Sequence, residues 1–189
     1  MHSGKIGEIE MIEYENGALV VEDFLTQKEC RDLISRSEDI GYEHSKIQTN
    51  LGEVESVSVR NNERVLFDDY GLAKQLFDRL LPYLPEEIDA WKPSGLNEKF
   101  RFYRYVGDQY FKWHVDGSFK RDYFEVSKLT VLFYLNGDFE GGETEFEGIK
   151  VQPKSGLLLV FPHKLRHQGV PPKYGIKYVL RTDVMYAKA

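Results

Sequence analysis

The triplet His114-Val-Asp116 sets an imidazole and a carboxylate two residues apart. In a strand, residues i and i+2 point to the same face, so both groups converge on one point. Such a pair is two-thirds of the two-histidine, one-carboxylate facial triad, which leaves positions open on iron(II) for a co-substrate and oxygen. The third ligand should be a histidine on a later strand or at its edge. Five histidines are available. His2 lies in the N-terminal tail and His44 in a polar stretch far upstream. His163 and His167 both follow the apolar run Leu157–Phe161, and spacing alone does not separate them. A neutral histidine beside a strand end is more often a hydrogen-bonded structural residue than a ligand, so the bland reading applies to each.

These side chains need strands to hold them, and the second half of the chain supplies the pattern. Phe100–Tyr105, Leu129–Leu135, Leu157–Phe161 and Ile176–Tyr186 alternate or run apolar, punctuated by glycines. With no helix signal between them, they predict a sandwich or barrel rather than alternating strands and helices. Upstream, Ala18–Phe24 reads as a short strand and Thr26-Gln-Lys-Glu29 as a capping box. The helix that follows should bury Cys30, Leu33, Ile34 and Ile40 and end near Gly41. A second helix is expected from about Tyr70 to Leu81, capped by Asp68 or Asp69 and stopped by Pro82. Residues 1–16 suit a lead-in strand or an arm, and 53–59 alternate weakly like a strand. The expected organisation is one domain over 1–189: a helical support region over about 1–90 and a β-core over about 97–189.

Several short motifs in order resemble the prolyl-4-hydroxylase-like branch of the iron(II)/2-oxoglutarate-dependent oxygenases. Tyr105 followed by His114-Val-Asp116 resembles Y-x8-H-x-D, and Leu129-Thr-Val-Leu-Phe-Tyr-Leu-Asn136 a central strand ending Y-L-N. Gly141-Gly-Glu-Thr-Glu-Phe146 resembles G-G-x-T-x-F, and Val151-Gln-Pro-Lys-Ser-Gly156 resembles V-x-P-x-x-G. His167-Gln-Gly169 resembles the distal H-x-G, and Gly175-Ile-Lys177 resembles G-x-K. One departure is that Asp108 stands where the family usually has glycine, with Gly107 before it.

The resemblance implies a double-stranded β-helix, a cupin-like jelly roll buttressed by helices, mainly β within an α+β chain. It selects His167 as the third ligand beside His114 and Asp116. It implies iron(II), 2-oxoglutarate as co-substrate and O2, and leaves room for ascorbate. Lys177 would pair with the distal carboxylate of 2-oxoglutarate, with Tyr105, Tyr134 and Thr144 around it. The expected reaction hydroxylates an unactivated carbon and releases succinate and carbon dioxide. The alternative is a catalytically silent metal-binding jelly roll acting as a sensor or interaction module.

Residues 177, 179, 181 and 183 alternate onto one strand face, so Arg181 competes with Lys177 as the co-substrate anchor. Arg181 and Asp183 read equally as an ion pair or as substrate contacts. The segment Arg60-Asn61-Asn62-Glu63-Arg64 reads as a solvated loop, or else as a substrate lid carrying Asn61, Asn62 and Arg64.

Composition narrows the partners. The net charge is −6 with no basic run, which argues against a nucleic-acid substrate. A small molecule or a protein side chain remains, and nothing in the sequence sets the oligomeric state. A single cysteine, the lack of an apolar span of membrane length and no leader pattern lead to the expectation of a cytoplasmic protein.

Overall fold

The computed structural model describes residues 1–6, 9–45, 47–49, 52–54 and 58–188. Alternation along the strands determines the layering. In the central strand Glu125–Tyr134, Val131 and Phe133 pack with the helices, while Leu132 and Tyr134 face the other way. The strand is therefore apolar on both faces because both are covered. It lies in a main antiparallel sheet ordered His2–Ile6, Ile9–Glu13, Leu19–Val21, Leu158–Pro162, Glu125–Tyr134, Ile176–Lys188, Lys99–Val106, Glu63–Asp68 and Glu43–His44. Trp91–Leu96 pairs alongside the end of Ile176–Lys188. A smaller sheet runs Phe111–His114, His167–Gly169, Thr144–Phe146 and Ile149–Val151.

One core lies between the main sheet and the helices, through Cys30, Leu33, Leu76, Leu80 and Phe133. A second lies between the sheets, through Tyr103, Tyr134, Phe146 and Phe161. This is a jelly roll with helices on its outer face.

The helices form where their capping residues stand. Helix α1, Gln27–Ile40, has a complete capping box in which Thr26 Oγ1 accepts the Glu29 amide at 3.2 Å. Helix α2, Tyr70–Leu80, is capped by Asp69, which accepts the Leu72 amide at 2.9 Å and pairs with Arg36 of α1 at 2.6 Å. Pro82 does not end the turn at once: Leu81–Tyr83 continue as a 3-10 helix, where proline at the second position loses no hydrogen bond.

Three expectations need correction. Ile40 is 48% exposed, because the buried face of α1 runs through Cys30, Leu33 and Ser37 and Ile40 lies off it at the last residue. The first ninety residues are not helical support alone; they also give the main sheet five of its strands. Arg60–Arg64 is no solvated loop, since Arg60, Asn62 and Arg64 are buried and Glu63 begins a strand paired with Lys99–Val106. Of the weakly alternating 53–59, residues 55–57 lie outside the described residues, and 53–54 end the short strand Gly52–Val54. Among the described residues no helix is long and apolar enough to cross a membrane.

Gly156 shows how tightly α1 is seated. Its φ is +86°, and a Cβ there would collide with the carbonyl oxygen of Leu25. Gly156→Ala is expected to cost at least about 2 kcal/mol, combining left-handed strain with displacement of the Leu25 backbone. A denaturation midpoint unchanged from that of the parent chain would contradict this.

Candidate metal centre and adjoining cleft

His114 ends the strand Phe111–His114, and its partner across the ladder is His167, the first residue of His167–Gly169. Their rings lie 4.2 Å apart between centroids. Asp116 follows two residues later, held by its amide to the carbonyl of His163 at 2.9 Å. The structure thus brings His114, Asp116 and His167 together, with one potential ligand atom from each inside a span of 4.8 Å.

Both imidazoles are set in one tautomer. Nδ1 of His114 donates to the Lys112 carbonyl at 2.7 Å, and Nδ1 of His167 to the Leu165 carbonyl at 2.9 Å. Each Nε2 lone pair is left facing Asp116, at 3.7 Å in both cases. Burial lowers the His167 pKa to about 4, so this ring is neutral near pH 7. Burial alone would raise the Asp116 pKa, but the charge of Arg181, joined by the two histidines, holds it well below the usual carboxylate range. Nε2 of His114 is buried and makes no hydrogen bond among the described residues. Two imidazole nitrogens and one carboxylate, turned inward with one buried nitrogen unmatched among the described residues, fit a divalent metal of the iron(II) type.

His163 has a different task. Its ring is buried and reaches Ser127 and Thr130, not the cluster of ligand atoms. The proton positions follow from the partners. A carboxylate only accepts, so Thr130 Oγ1 donates to Asp116 Oδ2, at 2.6 Å. Thr130 Oγ1 must then accept from His163 Nδ1, at 2.8 Å. The Phe119 amide donates to Ser127 Oγ at 2.7 Å, and the Ser127 hydroxyl donates to His163 Nε2 at 2.8 Å. This chain orients Asp116 from behind. His163→Ala and Thr130→Val are each expected to weaken metal binding roughly 10- to 100-fold without abolishing it, as for other groups that orient ligands. A metal titration of either variant that matches the parent protein would remove this role.

Lys177 lies in the same interior and is 2% exposed. Its ammonium donates to the Gly142 carbonyl at 2.6 Å and sits 4.9 Å from the Tyr105 ring centre and 5.6 Å from that of Tyr134. Burial pulls its pKa down to about 7. The Tyr134 hydroxyl donates to Thr144 Oγ1 at 2.6 Å. A pocket joins Lys177, Tyr105 and Thr144 to the His114–Asp116–His167 cluster.

Arg181 takes another position. Its guanidinium pairs with Asp116 at 3.0 Å and with Asp183 at 3.4 Å. Asp183 also pairs with Arg101 at 3.5 Å. Among the upstream residues, Asn61 Oδ1 accepts the Tyr110 amide at 2.7 Å, and Asn62 Oδ1 accepts from Arg60 at 3.0 and 3.1 Å. Arg64 lines a cleft beside the triad together with Arg60, Arg101, Arg181 and Asp183. Sequence reasoning gave no role to Ser127, Thr130 or Tyr103, nor a place in this cleft to Arg60 or Arg101. The inward alternation of Thr130, Leu132 and Tyr134 is the signal that could have found Thr130.

Residues 100–182 match the family model described as the 2OG-Fe(II) oxygenase superfamily. Prolyl 4-hydroxylase 2 of Arabidopsis thaliana is 24% identical over 199 residues, covering 89% of this chain. The chain spans 64% of the length of that curated relative. Among solved structures, the 2OG complex of the viral collagen prolyl hydroxylase of Paramecium Bursaria Chlorella virus-1 superposes with a TM-score of 0.64 at 23% identity, covering 90% of this chain and 96% of that one. The prolyl hydroxylase of Trichoplax adhaerens, in complex with a hypoxia inducible factor peptide fragment, gives 0.69 at 19%, covering 90% and 84%. The resemblance read from the motifs and the matched family model point to the same superfamily.

Proposed function

We propose that this chain is an iron(II)- and 2-oxoglutarate-dependent dioxygenase that hydroxylates an unactivated carbon and releases succinate and carbon dioxide. The observation that carries this reading is the inward-facing set of His114 Nε2, His167 Nε2 and the Asp116 carboxylate, beside a buried lysine with a neutral carbonyl partner. Bound iron(II) would supply oxygen activation coupled to oxidative decarboxylation of the co-substrate.

The residues of the chain have separable tasks in that reaction. His114, Asp116 and His167 hold the metal on one face. Lys177 receives the distal carboxylate of 2-oxoglutarate, with Tyr105, Tyr134 and Thr144 shaping the space around it. Lys177 is favoured over Arg181 as the anchor because Arg181 is already engaged by two carboxylates. The apolar wall of Leu132 and Val179 keeps water from the reacting atoms.

The substrate is a protein or peptide side chain, or a small molecule. The relatives named above are prolyl hydroxylases, which makes peptidyl proline the first substrate to assay. The test is consumption of 2-oxoglutarate and release of succinate by the purified chain, with iron(II) added or withheld. Iron-dependent turnover is expected. Failure to bind 2-oxoglutarate in the presence of iron(II), together with no turnover, would sink the proposal.

A further inference from the structure

The cleft beside the triad is unusually rich in guanidinium groups. Arg60, Arg64, Arg101 and Arg181 line it, against the carboxylates of Asp116 and Asp183. Arg101 and Arg181 are matched to those two acids. Arg60 is not. It is 5% exposed, and its hydrogen bonds among the described residues go to the neutral side-chain oxygen of Asn62. Its guanidinium otherwise lies over aromatic rings, 4.1 Å from the centre of Phe111 and 4.8 Å from that of Tyr103. A cation buried against rings and an amide is only partly compensated for lost water.

We propose that Arg60 and the surrounding arginines form a subsite for a carboxylate of the substrate, adjacent to the reacting centre. The proposal rests on the oxygenase reading for its place beside the metal and narrows the substrate of that reading to a carboxylate-bearing compound. Three further features support it. The Nε atom of Arg181 is buried in the same cleft without a hydrogen-bond partner among the described residues. Burial would raise the Tyr103 phenol, yet the charges of Arg181, Arg60 and Arg101 bring it down to about 8, so the local field favours an anion. The Phe111 ring under Arg60 also stacks on His114, with centroids 3.5 Å apart. One aromatic ring therefore separates the arginine from a proposed metal ligand. A substrate held there offers the metal a carbon within a few bonds of its carboxylate.

A chain terminus or free acid and an aspartyl or glutamyl side chain share this chemistry, and paired probes separate them. N-acetyl-alanine and its amide test a terminal carboxylate. The α-amides of N-acetyl-aspartate and N-acetyl-asparagine test a side-chain carboxylate. Binding is followed by the ultraviolet tyrosinate titration of the iron(II)- and 2-oxoglutarate-loaded protein under anaerobic conditions, because an anion beside Arg60 should shift the Tyr103 transition upward. At least one acid is expected to bind about tenfold or more tightly than its amide. Arg60→Gln is expected to erase that preference, and Arg60→Lys to retain part of it. The lysine variant also decides the matter if the glutamine variant does not fold.

Equal binding of acid and amide in both pairs overturns the proposal, as does a preference that survives Arg60→Gln. Formation of the iron–2-oxoglutarate complex is read separately, from its visible absorbance. If that complex fails to form while the acid preference persists, the oxygenase reading fails and the anion subsite stands. If it forms and the preference is absent, the subsite fails alone.

Discussion

His167→Ala is expected to reduce iron(II) affinity on the order of a thousandfold or more and to bring iron-dependent 2-oxoglutarate turnover below detection. Few other donors are in reach. His114 and Asp116 are the only histidine, cysteine or acidic side chains among the described residues that form a ligand cluster with it. The backbone should tolerate the change, since His167 is held by ladder pairing to His114 on one side and Phe146 on the other, and that pairing does not involve its ring. Its contacts with Phe146 and Phe161 are lost, which lowers the stability of the metal-free protein by a few kcal/mol at most. A folded variant with no metal response is the expected outcome. Retention of parent-level affinity in His167→Ala, with loss of binding in His163→Ala, would mean that the relay histidine is the true ligand.

The second large effect concerns Lys177. Lys177→Ala should weaken 2-oxoglutarate binding by roughly 2–5 kcal/mol, the usual consequence of stranding one partner of a buried charge pair. That is about thirtyfold to several thousandfold in the dissociation constant. If Arg181→Ala has this effect and Lys177→Ala does not, the anchor has been misassigned. The pH dependence is a sharper test. Burial holds the Lys177 pKa at about 7 in the free site, whereas the ammonium form is the one that pairs with a carboxylate. Below that pH the proton is already present, and affinity should be flat. Above it the proton must be taken up on binding, so the dissociation constant should rise about tenfold per pH unit. In Lys177→Met this slope should vanish. The measurement is 2-oxoglutarate affinity against pH under anaerobic conditions with iron(II) present.

Local chemistry made the helices readable, because Thr26, Glu29 and Asp69 act within a few residues of the chain they cap. The terminal strand was readable for the same reason: period-two alternation puts Lys177, Val179 and Arg181 on one pocket wall. The choice between His163 and His167 was not, because it depends on which strands lie side by side. Their separation in sequence is small, but one faces His114 across a ladder and the other faces Ser127 and Thr130. The latter pair was hidden further by an irregularity. Ser127 and Thr130 have opposite parity, so a regular strand would turn them to opposite faces. The register against Ile176–Lys188 shifts between Ser127 and Leu129, and that bulge lets both hydroxyls reach one imidazole. Arg60 was obscured by its neighbours, since a run of five polar residues looks solvated until Phe111 and Tyr103 are seen to cover it.

The facing positions of His114 and His167 also bear on how the barrel is fastened. The strands that carry them are short, and their register is broken between Phe111 and His114. Little backbone pairing ties that edge together. An ion gripped by both rings would therefore serve as a removable rivet, joining two chain segments fifty-three residues apart in sequence. Its contribution to folding grows with the logarithm of free metal concentration over the dissociation constant. Metal supply would then set the rigidity of this edge as well as the capacity for chemistry, and a starved protein would be looser where His114 and His167 face each other.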